Sequence, residues 1–153
     1  MLFPEPASEE RLVELTAIIE EWLAAQVADN PAVQGVERIE GERHWYVRLR
    51  GEEKETFGVV LELGQRTLRY DTYLMPAPQE RAVELYEHLL RRNLKLYGCQ
   101  LAIGAEDAIY LVGQLDVRAI DAAELDRVLG TLYLATEQFF RPAMRIGYAS
   151  VFS

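Results

Sequence analysis

The chain has 153 residues, half of them hydrophobic and 27% charged, so we expect one folded domain over residues 1–153. Its net charge of −9 argues against nucleic-acid or anionic-membrane binding, since both need clustered lysines and arginines. The longest uncharged run, Leu96 to Ala105, is too short to cross a bilayer, which takes about 20 apolar residues. A single cysteine and a start without a signal-peptide pattern predict a cytoplasmic protein.

The chain begins with an extended arm and a helix. Two prolines within residues 1–7 predict the arm. Ser8 is a suitable N-cap, and apolar residues recur at helical spacing from Leu12 to Leu23. These features predict a helix over residues 9–28.

The middle of the chain changes from helical spacing to strict alternation of apolar and polar residues, which is typical of strands with one buried face. Three strands are predicted, at His44 to Arg50, Thr56 to Leu63 and Thr67 to Leu74. Their short connections predict an antiparallel meander. A weak additional strand is predicted at Gly35 to Glu40.

A second helix, from Pro78 to Tyr97, is predicted next, because proline suits a first helical turn and Gly98 is a stop signal. Two further strands follow, at Cys99 to Gly104 and Ile109 to Leu115. Their inward-facing residues are expected to be Cys99, Leu101, Ile103, Ile109, Leu111, Gly113 and Leu115.

The third helix is predicted to open at Asp121, which has Glu124 at capping-box spacing. Pro142 is expected to end or kink this helix near Arg141. Gly130, inside it, is expected to allow close packing of the helix on the sheet.

The order of elements is therefore α-β-β-β-α-β-β-α. This order predicts an α+β domain in which one antiparallel sheet of about five strands is covered by helices on one side.

No catalytic constellation is found in the sequence. His44 and His88 lack neighbours at metal-ligand spacing, and Cys99 follows a helix end, where no dipole would lower its pKa. Phosphate-binding glycine motifs are also absent from the sequence. We therefore expect no catalytic residue, no metal site and no cofactor.

Two surfaces are candidates for binding. The outward face of the third strand shows Arg69, Asp71 and Tyr73, which indicates either cross-strand pairing on a solvated sheet or a recognition surface. The second helix carries an apolar stripe wide enough for both core and interface, and an open sheet often covers its edges by dimerising or by accepting a strand. The predicted interface residues are Leu85, Tyr86, Leu89, Leu90, Arg69 and Tyr73.

The second half of the chain carries a family resemblance. The segment from Leu89 to Leu94, leading through Gly98 into Cys99 to Ile103, resembles the YbjN family of bacterial sensory transduction regulators. Asn93 is similar to the asparagine that often follows the leucine pair in that family. The likeness covers about residues 9–145, and the family's fold is similar to that of type III secretion chaperones.

The resemblance implies a small non-enzymatic cytoplasmic dimer that binds protein segments and dimerises through the helix at Pro78 to Tyr97. We therefore predict a homodimeric protein-binding module, chaperone-like or a regulatory adaptor, whose partner is not identified by the sequence. One alternative is an enzyme or small-ligand binder with a site between sheet and helices, using Arg69, Tyr70 or His88. Another is a structural subunit of a larger complex.

Overall fold

The computed structural model describes residues 3–152; Met1 and Leu2 of the predicted arm, and Ser153, lie outside the described residues. The described residues form three α-helices and six strands, with two short 3-10 turns around the last strand. Their bounds are α1 (Glu9–Asp29), β1 (Val33–Arg38), β2 (His44–Arg50), β3 (Thr56–Leu63), β4 (Thr67–Met75), α2 (Ala82–Asn93), β5 (Gln100–Ile103), β6 (Ile109–Asp116) and α3 (Ala122–Gly147).

All six strands belong to one antiparallel sheet with the order β1-β2-β3-β4-β6-β5. The predicted α+β class is confirmed, but the sheet has six strands where about five were expected. The additional strand is the weakly predicted one, β1. Its signal is weak because a bulge between Val33 and Gly35 interrupts the alternation.

The core lies between the helices and one face of the sheet, as predicted. Alternate residues of β2 and β3 are buried, including Trp45, Val59 and Leu61. The helices contribute the residues expected from their spacing, such as Leu15 of α1 and Leu132 of α3, both fully buried. On the other sheet face, outward side chains such as Tyr46, Arg48 and Arg69 are exposed, and none of the described helices covers them.

The second helix is shorter than predicted. It begins at Ala82 rather than Pro78, because Arg81 has a left-handed backbone (φ 53°) that is incompatible with a continuing helix. The backbone N–H groups of Gln79 and Glu80 instead donate to the carbonyl of Gly147 in α3. The helix ends at Asn93, ahead of the predicted stop at Gly98, which has a positive φ of 86°.

Three other expectations need correction. Pro142 was expected to end or kink α3; the first alternative is wrong, because α3 continues to Gly147 with Ala143 fully buried after the proline. Gly130 does not serve close packing, since a Cβ there would meet nothing within 4 Å. Ile103 was expected to face inward but is 54% exposed, because β5 is a short edge strand and its end is not covered by the core.

Candidate protein-interaction surfaces

An apolar groove lies between α2 and the edge strand β5, with a volume of about 370 Å³. We call it the α2–β5 groove; its lining residues are Tyr86, Leu89, Leu90, Leu101, Ala102, Ile103 and Ile109. Val83 and Leu94, which lie on the same side of the helix as Leu90 by helical spacing, are 81% and 87% exposed. Tyr97, beyond the helix and beside Arg127 of α3, is 83% exposed. Contiguous exposed apolar surface of this kind marks interaction sites.

The structure divides the predicted stripe of α2 into two parts. Leu85 and Leu89 are buried in the core, whereas Leu90 is 67% exposed and Tyr86 is half-buried in the groove. The exposure of Val83 and Tyr97 was missed by the sequence reasoning. The signal for Val83 was available, because it is apolar and lies two helical turns before Leu90 on the same side of α2. Tyr97 lies beyond the end of α2, where helical spacing gives no signal.

The side chain of Asn93 covers the outer edge of β5. Its amide nitrogen donates to the carbonyl of Leu101 at 3.1 Å, and its amide oxygen accepts from the Leu101 N–H at 2.8 Å. An edge strand normally leaves such groups open for another chain. Asn93 therefore takes the place of a neighbouring strand in the middle of β5.

The helix-free face of the sheet carries the other predicted residues. Arg69 and Tyr73 flank Asp71 on β4, as the alternation predicted, and Tyr73 packs edge-on against Tyr110 of β6 with ring centroids 5.5 Å apart. Burial raises the pKa of Asp71, and nearby His44 and Arg69 oppose that rise. Of the six predicted interface residues, Leu85 and Leu89 belong to the core, Tyr86 and Leu90 lie on the outer side of α2, and Arg69 and Tyr73 lie on this sheet face.

A trough crosses this helix-free face near the ends of β2, β3 and β4, with a volume of about 700 Å³. We call it the tyrosine trough, because Tyr46 and Tyr73 form its sides; Arg48, Lys54 and Gly58 also line it. The sequence reasoning missed Lys54, because nothing in a loop sequence indicates how far a lysine reaches across a sheet.

Lys54 is held rigidly. Its ammonium group donates to the carbonyls of Tyr73 at 2.6 Å and Leu74 at 2.9 Å, next to the β4 bulge. It also lies 5.1 Å from the ring centroid of Tyr73 and 5.4 Å from that of Phe140. Burial lowers the pKa of Lys54 to about 8, whereas the carbonyls and rings favour its charged form.

The residues of the alternative ligand site do not converge. Arg69 and Tyr70 are adjacent on β4 and therefore point to opposite faces of the sheet. Tyr70 is buried in the core, where its hydroxyl donates to the carbonyl of Gly98 at 2.6 Å. His88 is half-buried on α2, and burial, with Arg92 nearby, lowers its pKa.

Cys99 is fully buried, and burial raises the pKa of its thiol, which disfavours the reactive thiolate.

Among the described residues, no helix has both the length and the apolar character of a membrane span.

Solved structures share this fold. The chain superposes on a chain of the HopA1–SchA chaperone–effector complex with a TM-score of 0.58, at 13% identity, covering 90% of this chain and 99% of that one. It matches a chain of the ExoU–SpcU complex from the type III secretion system of Pseudomonas aeruginosa with a TM-score of 0.54, at 18% identity, covering 82% and 96%. A structure of the Yersinia pestis type III secretion chaperone SycH with a fragment of YscM2 gives 0.53, at 20% identity, covering 81% and 98%. The fold is therefore that of type III secretion chaperones.

Curated relatives come from mycobacteria. The chain is 36% identical over 104 residues to the uncharacterized protein Rv0487 of Mycobacterium tuberculosis, covering 68% of this chain and 57% of that protein. It is 30% identical over 104 residues to the uncharacterized protein ML2442 of Mycobacterium leprae, covering 68% and 56%. The chain thus spans little more than half the length of these relatives.

The sequence profile of one family matches most of the chain. It covers residues 16–143 and is described as "YbjN: Putative bacterial sensory transduction regulator". The matched range includes Asn93 and the segment from Leu89 to Ile103, which carried the resemblance in the sequence. The chain belongs to the YbjN family.

Proposed function

We propose that the protein is a protein-binding module, chaperone-like or a regulatory adaptor, which acts in the cytoplasm as a homodimer and has no catalysis of its own. The observation that carries this proposal is the apolar surface around the α2–β5 groove. Leu90 of the groove, with Val83 and Leu94 on the same side of the helix, is more than half exposed, as are both neighbours, in a chain whose other large apolar residues mostly form one core. A second copy of the chain would remove this surface from water.

The groove suits a symmetric dimer. A two-fold interface brings the same patch of each subunit together, so a helix with an apolar outer side can pack against its own copy. Arg91 and Glu87 form an exposed ion pair at 2.8 Å on α2, which provides a polar rim to the apolar patch. Because Asn93 already occupies the β5 edge, the dimer forms by side-chain packing and not by pairing of two β5 strands.

The comparisons support the binding role. The family is described as a regulator, and the fold is shared with chains from complexes in which secretion chaperones hold another protein, such as SycH with a fragment of YscM2. Because the sequence identity to these structures is low, the shared fold supports a protein-binding role but does not identify a partner.

The experiment compares the molar mass in solution of two matched variants. Leu90→Glu places a charge in the groove, whereas Leu134→Glu places one on α3; the two leucines are 67% and 68% exposed. Each dimer contains two copies of Leu90, and burying a leucine contributes about 1.5–3 kcal/mol. Leu90→Glu therefore weakens the dimer about a hundredfold or more.

Light scattering after size exclusion at micromolar concentration gives the result. We expect twice the chain mass for the wild type and for Leu134→Glu, and the single-chain mass for Leu90→Glu. A wild type that is monomeric at this concentration refutes the homodimer. If the Leu90→Glu variant stays dimeric, the dimer interface lies on a surface other than the α2–β5 groove.

A further inference from the structure

The tyrosine trough is built by glycines that let neighbouring side chains lie flat on the sheet. A Cβ at Gly58 would lie only 2.1 Å from the ring of Tyr46, so this ring rests directly on the backbone of β3. In the same way, a Cβ at Gly35 would lie 2.2 Å from the guanidinium of Arg48. Glycine weakens a strand and marks close approach of another group, so these two positions give the trough its shape.

Two cationic side chains line the trough in a chain of net charge −9. Within the described part of the chain, its lining residues include Arg48 and Lys54 but no aspartate or glutamate. Arg48 has one ion-pair contact there, with Glu37 at 3.5 Å, and its side chain is 53% exposed. Its guanidinium therefore retains donors for a ligand.

Lys54 adds a second charge at a fixed position. Two of its three N–H donors are used by the carbonyls of Tyr73 and Leu74, which leaves one donor. Of the two glutamates next to it in the loop, Glu53 pairs with Arg141 of α3 at 2.5 Å, and Glu55 forms no ion pair with Lys54 among the described residues. The charge of Lys54 is thus not paired with a carboxylate among the described residues.

We propose that the tyrosine trough binds an acidic, extended peptide segment of a protein partner, with carboxylates at Arg48 and Lys54 and apolar groups against Tyr46 and Tyr73. Charge complementarity selects the acidic character. The open shape of the trough favours an extended peptide, because a small-molecule site usually encloses most of the surface of its ligand. Tyrosine and arginine are the side chains that most often dominate such contacts.

This inference rests on the proposed protein-binding function but uses a different surface from the dimer. Its test measures fluorescence anisotropy of labelled peptides with the full chain. The probes are one peptide that alternates glutamate with phenylalanine, and the same peptide with glutamine or lysine in place of glutamate. Arg48→Gln tests the trough, and Arg11→Gln is the control, because Arg11 is a similarly exposed arginine on α1 paired with Glu14 at 2.8 Å.

We expect the glutamate peptide to bind at least about tenfold more tightly than the glutamine peptide, and the lysine peptide to bind least. Arg48→Gln should lose about tenfold in affinity for the glutamate peptide, while Arg11→Gln and the Leu90→Glu variant keep it. Circular dichroism confirms that each variant is folded.

Equal binding of the glutamate and glutamine peptides overturns the inference, and so does equal loss in Arg48→Gln and Arg11→Gln. A single-stranded oligonucleotide that binds as tightly as the glutamate peptide, and depends on Arg48 in the same way, overturns it in favour of a nucleic-acid site. In each case the molar-mass experiment still tests the proposed dimer, because its variant changes the α2–β5 groove and not the trough.

Discussion

Asn93 allows a quantitative test of how the edge of the sheet is stabilised. Asn93→Ala removes two hydrogen bonds to the backbone of Leu101, each of which contributes about 1 kcal/mol net. Because alanine is the better helix former, it offsets about 0.5 kcal/mol of this loss at the end of α2. The expected loss of unfolding free energy is therefore about 1.5 kcal/mol, which lowers Tm by about 3–6 °C in a chain of this size.

Asn93→Asp separates the donor from the acceptor. The carboxylate still accepts from the Leu101 N–H, but it has no donor for the Leu101 carbonyl and places negative charge against it. We expect a loss as large as that of Asn93→Ala at neutral pH. The loss should shrink below about pH 4, where a protonated carboxyl regains a donor.

The assay is urea unfolding at one fixed protein concentration, since the proposed dimer would make the apparent stability depend on concentration. Gln100→Ala, which truncates an exposed side chain on β5, is the control and should change the unfolding free energy little. A loss below about 0.5 kcal/mol in Asn93→Ala, or wild-type stability in Asn93→Asp at neutral pH, refutes this account of the edge.

Three further predictions concern single side chains. Gly130→Ala should raise the unfolding free energy by about 1 kcal/mol in calorimetry, because the added methyl group meets nothing within 4 Å; a destabilised variant contradicts this. Burial lowers the pKa of Lys54 from 10.5 to about 8, so over that range the unfolded chain holds more protons than the folded chain. The stability of the wild type relative to Lys54→Met should therefore rise with pH through this window in urea unfolding, and a constant difference contradicts it. The thiol of Cys99, fully buried with a raised pKa, should react with Ellman's reagent slowly in the native protein and rapidly in denaturant; rapid native reaction contradicts its burial.

The elements with regular hydrophobic spacing could be predicted from the sequence. The strands β2, β3 and β4 alternate strictly, and the buried residues of α1 recur at helical spacing from Leu12 to Leu23, so local spacing determined the type and buried face of these elements. β1 gave a weak signal because its bulge breaks the alternation. The start of α2 could not be predicted, because Gln79 and Glu80 bond to the distant Gly147 instead of to the next helical turn.

The candidate surfaces were predicted only in part. The apolar stripe of α2 and the outward residues of β4 follow from periodicity, so Leu90 and Tyr73 could be identified. Which leucines the core would cover depends on how α2 lies against β5 and α3, which is a tertiary property. Lys54 shows the same limit, since its contacts with Tyr73 and Phe140 join three separate elements.

The two edges of the sheet differ, and this limits how such chains can assemble by strand pairing. β1 is an edge strand, and the opposite edge is β5, where the Asn93 amide already occupies the middle of the strand. Unlimited stacking of sheets into a fibre requires each molecule to offer two free edges. With one edge covered, pairing through β1 ends after a single additional strand. A single amide side chain at one edge therefore disfavours open-ended pairing of sheets.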